Sequence, residues 1–166
     1  APAGPAIFAQ AAQMAAQNQA RVALSLSDPW CVDRHRADLR HYVKNHVNIL
    51  FANEDEAISL AETDHPKSVQ ILADLVNEAV ITRGPLGAVI CHAGQDFLVE
   101  ANPQGPVIDT TGAGDLFAAG YLFGRTHDYD AKTSGRIASM LAGEVISHIG
   151  ARPKADLKAL IKPIVG

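Results

Sequence analysis

Cysteine is nearly missing from this chain. Its 166 residues include two, Cys31 and Cys91, far apart in sequence. Thiols so spaced make neither a disulfide framework nor a zinc ligand set, and they read as two small buried residues in a reducing cytoplasm. Basic charge is not in excess either: 14 Lys and Arg stand against 18 Asp and Glu, for a net charge of −4. Without a positive field there is little to gather nucleic acid or anionic lipid, which argues against a phosphate-backbone binder. Long apolar runs are also absent. The longest, at 116–124, falls well short of the ~20 residues that span a bilayer. The first twenty residues carry no charge, and Gln10, Gln13, Gln17 and Gln19 interrupt their apolar run, unlike a secretory signal. The seven histidines include no HxH or HExxH. His41 and His46 could be neighbours on a helix, but no carboxylate frames them, so no His-built metal site is expected.

What is there is the composition of a folded domain, with 48% hydrophobic and 19% charged residues. The length suits one domain of ordinary size, able to bury roughly 70% of the surface its unfolded form exposes. Apolar residues at Ile7, Ala11, Met14 and Ala15 recur at helical spacing and predict a helix over 5–20 with one inner stripe. A short strand over 21–26 follows, broken by Ser27-Asp28-Pro29. Asp33 is the expected cap of a helix running to about 45. Further strands are predicted at 47–51, 79–82, 88–92 and 97–100, with a hairpin turn at Ala93-Gly94. Helices are predicted at 53–61, 68–78, 115–124, 130–149 and 154–161, and 107–109 reads as a short strand end. Strands alternating with helices indicate a layered α/β fold with a largely parallel sheet. Ligands in such folds bind beyond the carboxyl ends of strands, which directs attention to the loops after Phe51, Thr82 and Asp109.

The most informative segment is Asp109-Thr-Thr-Gly-Ala-Gly-Asp115-Leu-Phe-Ala-Ala-Gly120. Gly112, Ala113 and Gly114 lie at a strand-to-helix turn, where small residues let backbone N–H groups approach an anion and the helix dipole favours it. Asp115 then falls in the first turn, where a carboxylate could take a proton from an attacking hydroxyl. Phe117 occupies the sixth position of a would-be GxGxxG, which disfavours a dinucleotide-dependent oxidoreductase. GxxxxGK[ST] is absent, which excludes a P-loop.

That whole segment resembles the second signature of the ribokinase-like (PfkB) family of sugar and nucleoside kinases. Asn53-Glu-Asp-Glu56 resembles the family's NxxE motif, and Thr82-Arg-Gly84-Pro-Leu-Gly87 its nucleotide strand and turn. The 143–151 stretch resembles its closing helix and Gly-Ala turn, so the likeness runs over nearly the whole chain. The resemblance implies a three-layer ribokinase-like (Rossmann-like) sheet with flanking helices. It implies an ATP-dependent phosphotransferase acting on a primary hydroxyl of a nucleoside or sugar, with Mg²⁺ and K⁺ as further cofactors. Gly112, Ala113 and Gly114 would form the anion hole and Asp115 would be the catalytic base. Asn53 and Glu56 would act near the ATP phosphates, with Glu56 holding Mg²⁺ through water. Thr82, Gly84 and Gly87 would border the nucleotide, and Ser139 would lie beside the adenine. Asp109 and Thr111 would help bind a monovalent cation.

Two stretches, 26–36 and 144–153, look similar to bacterial adenosine-kinase-like members, ahead of ribokinase or fructokinase. The Arg34-His35-Arg36 cluster within the first reads as a solvated helix start, with a phosphate contact as its alternative. Relatives run to about twice this length, and the chain begins at Ala1 where the resemblance places a mid-protein helix. The expectation is therefore a single α/β domain, 1–166, forming the C-terminal nucleotide-binding portion of a cytoplasmic kinase whose N-terminal part and lid are absent. An exposed strand edge would then invite a homodimer or the missing half. The rival reading is a half-length, non-catalytic nucleotide-binding module.

Overall fold

The computed structural model describes residues 4–65 and 67–166. Helices and strands alternate along it as the patterning predicts, in an α/β fold with both parallel and antiparallel strand pairs. The chain divides into two compact units, Ala1–Ile81 and Thr82–Gly166.

The first unit contains α1 (Gly4–Gln17), β1 (Ala23–Ser25), α2 (Pro29–His46), β2 (Ile49–Asn53), α3 (Glu54–Ala61), α4 (Lys67–Ala73) and β3 (Glu78–Thr82), the last strand ending just past the boundary. Strands β1 and β2 pair in parallel, with Leu24 opposite Leu50. Ile49, Leu50, Phe51 and Ala52 of β2 are all buried, as a near-continuous apolar strand covered on both faces should be. Val32 and Val43 from α2, Leu60 from α3, Leu72 from α4 and Val80 from β3 complete a solvent-free core.

Helix α2 starts earlier than its pattern predicts. Asp28, not Asp33, is the cap and accepts from the Trp30 N–H at 3.0 Å. Pro29 takes the first helical position, where its missing N–H would be unpaired anyway and its fixed φ suits the helix. Asp33 instead accepts from Ser59 Oγ and from Arg36, whose guanidinium also reaches Ser59 O at 2.7 Å and Glu62 at 2.9 Å. Arg36 therefore ties α2 to α3. In α1 the predicted inner stripe is wrong: Ile7 and Met14 are exposed and Ala12 is buried. Cys31 is exposed as well, which corrects the expectation of two buried thiols.

The second unit opens with a 3-10 turn over Gly84–Leu86. It continues through β4 (Ala88–His92), β5 (Gln95–Val99), α5 (Ala113–Thr126), α6 (Ala131–Val145) and α7 (Leu157–Val165). Strands β4 and β5 form the predicted hairpin, with His92 opposite Gln95. Ala93 and Gly94 turn it with φ of 52° and 73°, the left-handed pair that matches strand twist. Cys91 of β4 is buried, and desolvation followed by the neighbouring Asp96 pushes its thiol up to about 12. Such a thiol stays protonated and inert. Residues 107–109 are not the predicted strand end. Their N–H groups turn to the end of α6, where Ile146 O accepts from Ile108 at 2.8 Å and Asp109 at 3.3 Å. Helices α5 and α6 meet closely: a Cβ on Gly124 would lie 2.7 Å from Ser134 Cβ. Ile161 of α7 closes this end against Ile137 and Leu141 of α6. Among the described residues no helix is long and apolar enough to cross a membrane.

Candidate functional site

The expected site residues fall into separate groups. In the first unit, Asn53 ends β2 and caps α3. Its Oδ1 accepts the Glu56 N–H at 2.9 Å, and Glu56 Oε2 accepts the Asn53 N–H at 3.0 Å. A third bond runs from Asn53 Nδ2 to Glu56 Oε1 at 2.9 Å. This is a complete capping box, which the residue pattern alone predicts. Glu56 is 5% exposed. Burial raises its carboxyl above the usual range, the Asn53 N–H opposes this, and Asp28 and Asp55 add to it.

In the second unit, Thr82 ends β3 and leads into the turn with Gly84 and Gly87. Gly87 has a φ of 82°, and a Cβ there would sit 1.9 Å from Val99 O, so only glycine fits this approach of the turn to β5. Gly84 faces open space.

The turn from Asp109 to Asp115 is the most organised group. Asp109 Oδ1 accepts the Thr111 N–H at 2.9 Å, and Oδ2 accepts the Gly150 N–H at 3.0 Å. Gly150 first, then Thr111, hold the Asp109 carboxyl down at about 2. Gly112 caps α5 with a φ of 84°, and no side chain closes that helix end. A Cβ on Gly112 would meet Ala151 Cβ at 2.7 Å, so the 150–151 loop lies directly against the turn. Gly114 faces open space, and both it and Asp115 are exposed in the first helical turn. The Ala113 N–H is taken by Thr110 O at 3.1 Å, but no side chain caps the helix start, so small residues, an uncapped helix end and an accessible carboxylate share one corner, the chemistry that suits a phosphoryl group and a hydroxyl.

Ser139 is buried on α6 and donates to Glu100 O at 2.6 Å. It borders a cavity of about 530 Å³ whose lining includes Leu98, Lys132, Arg136 and Met140. Lys132 and Arg136 stand four residues apart on one helix face, a basic pair that belongs to none of the sequence motifs. Among the described residues no group of three or more His, Cys, Asp or Glu stands ready for a metal, so Glu56, Asp109 and Thr111 would each serve as single contacts.

Sequence reasoning also missed Glu144. It follows Ile137 and Leu141 at helical spacing, so a charge falls on the apolar face of α6, and this break in pattern was the available signal.

The family pattern described as pfkB family carbohydrate kinase matches residues 1–157. The structure is similar to that of adenosine kinase from Sinorhizobium meliloti, with a TM-score of 0.90 and 34% identity, over 95% of this chain and 49% of that one. A protein described as a probable sugar kinase from Rhizobium etli CFN 42 gives a TM-score of 0.90 at 36% identity, over 94% of this chain and 48% of that one. An uncharacterized sugar kinase of Archaeoglobus fulgidus is 31% identical over 72% of this chain and 48% of its own length. The chain spans about half the length of each. The fold is ribokinase-like, and the chain belongs to the pfkB family of carbohydrate kinases.

Proposed function

We propose that this chain is the C-terminal, nucleotide-binding portion of a kinase that uses ATP to phosphorylate a primary hydroxyl of a nucleoside or sugar, adenosine foremost. One observation carries the reading: the 112–115 turn, where a left-handed glycine opens a helix without a side-chain cap beside an exposed Asp115. Similarity to the S. meliloti adenosine kinase favours adenosine as acceptor. Similarity to the R. etli and A. fulgidus proteins keeps a sugar as the second reading.

In this reading Asp115 takes the acceptor's hydroxyl proton as its oxygen bonds to the γ-phosphorus and the bond to the departing ADP breaks. The N–H groups of 112–114 hold the oxygens of the transferred group, and positioning lowers the rest of the barrier. Asn53 and Glu56 would act near the phosphates, and Glu56 would be the residue to hold Mg²⁺, through water. Mg²⁺, when bound, neutralises charge across the phosphates. Thr82, Gly84 and Gly87 would border the nucleotide, Ser139 would stand by the adenine, and Asp109 and Thr111 would give oxygens to a monovalent cation such as K⁺. The reaction would belong in the cytoplasm, where ATP is at hand.

The test uses the whole polypeptide that carries this chain, assayed with ATP against adenosine, ribose and fructose. Adenosine is expected to turn over fastest. Asp115→Ala should lower turnover about 1,000-fold while ATP still binds. Near-normal turnover in that variant overturns the base assignment. ATP binding without phosphorylation of any acceptor would leave the non-catalytic module as the better account.

A further inference from the structure

The catalytic reading has no use for Glu144, yet this carboxylate is the hub of the loop that backs the site. It sits in the last turn of α6 and is 5% exposed. Its Oε1 accepts the backbone N–H of Lys154 at 2.8 Å and of Ala155 at 2.9 Å, and lies 3.3 Å from His148 Nε2. Its Oε2 is buried with no hydrogen-bond partner among the described residues. A buried charge with one oxygen unpartnered is a poor device for stability, since an apolar side chain at such a place is often neutral or better.

The loop that Glu144 holds does something specific. From the end of α6 it presents Gly150, whose N–H bonds Asp109 Oδ2, and Ala151, which lies against Gly112. Asp109 in turn holds the Thr111 N–H. One path therefore runs from Glu144 through residues 148–155 to Asp109 and the Gly112 turn, each link a short contact within the second unit.

We propose that Glu144 is a positioning residue for the phosphoryl-binding turn. By holding the Lys154 and Ala155 N–H groups it fixes the loop that presses Ala151 on Gly112 and places the Gly150 N–H on Asp109. Glu144 touches neither nucleotide nor acceptor, and its effect reaches the reaction through the loop. The inference rests on the kinase reading for its catalytic consequence, but its structural half stands apart from that reading.

The test is amide hydrogen exchange, followed residue by residue, alongside steady-state kinetics of the whole polypeptide. Glu144→Leu keeps the volume and removes the acceptor. Exchange should then accelerate at Lys154 and Ala155 and, about tenfold, at Gly150 and Thr111. The kcat should fall about 100-fold with the KM for ATP within about twofold, because a displaced turn costs transition-state rather than ground-state contacts. Glu144→Gln, which still offers a carbonyl oxygen, should restore both readouts. Where the Leu variant does not fold, Glu144→Asp keeps the charge but withdraws its reach, and the same exchange pattern is expected. Faster exchange confined to Lys154 and Ala155 would overturn the proposal, as would a Gln variant as impaired as Leu. Faster exchange at Gly150 and Thr111 with unchanged kcat would overturn the positioning role. A wild-type protein that phosphorylates nothing would sink the kinase reading instead, and the exchange pattern would still decide whether the clamp exists.

Discussion

Two helix starts in this protein solve the same problem in opposite ways. At the head of α3, Asn53 and Glu56 satisfy each other with three hydrogen bonds, and the carboxylate is buried in the exchange. At the head of α5, Gly112 offers no side chain, and Gly114 and Asp115 stand in the open. Both ends present helix-start N–H groups and the same dipole. The first satisfies them with a side-chain cap, whereas the second spends only the Ala113 N–H, on Thr110 O, and has no side-chain cap. Folding alone accounts for the hydrogen bonds of the closed start, so any role of Asn53 and Glu56 near the phosphates rests on the kinase reading, whereas an open start beside a reactive side chain itself calls for a ligand.

The largest effect short of the base itself is expected at the open end. Gly112→Val would force a branched side chain into a φ of 84° and against Ala151 Cβ at 2.7 Å. Strain and overpacking together should cost about 3 kcal/mol, read as a lower midpoint in urea unfolding. An unchanged midpoint would mean that the loop and turn part easily, and that the two helix starts differ less than their contacts suggest. At the closed end, Asn53→Ala should cost about 1 kcal/mol through the lost cap. Thermal unfolding measures it, and Asn53→Asp, which keeps an acceptor for the Glu56 N–H, should recover part of the loss. The smallest effect concerns pH. The folded pKa of Asp109, about 2, lies below its ordinary 3.8, so its contribution is present above pH ~4 and is lost as pH falls toward ~2. Asp109→Asn should flatten that part of the acid unfolding curve. An identical curve in the variant would show that the Gly150 and Thr111 bonds do not favour the ionised form.

Much of this was legible in the chain itself wherever the cause is local. The capping box at Asn53 and the Ala93-Gly94 hairpin depend on residues two or three apart, and the hairpin formed as predicted. Errors arose where a residue had two local readings. Pro29 can end a strand or begin a helix, and here it begins one, which moved the cap from Asp33 to Asp28. The 107–109 segment is apolar enough for a strand, but its N–H groups found Ile146 O instead of a strand partner. In α1 the helical period was correct, yet periodicity names a stripe without saying that anything covers it, and Ile7 and Met14 remain exposed.

The sequence by itself determined the alternation of strands and helices, the open glycine turn ahead of Asp115 and the family to which these motifs belong. Each depends on short-range geometry: a period, a φ that glycine tolerates, an acceptor three residues from a donor. Tertiary structure alone decided that Gly150 meets Asp109 across 41 positions, that Ala151 lies on Gly112, and that Glu144 reaches forward to Lys154 and Ala155. Those contacts exist because α6 packs on the hairpin and α5 and so brings its end beside the turn. Spacing along the chain does not encode that approach; burial of the apolar face of α6 does.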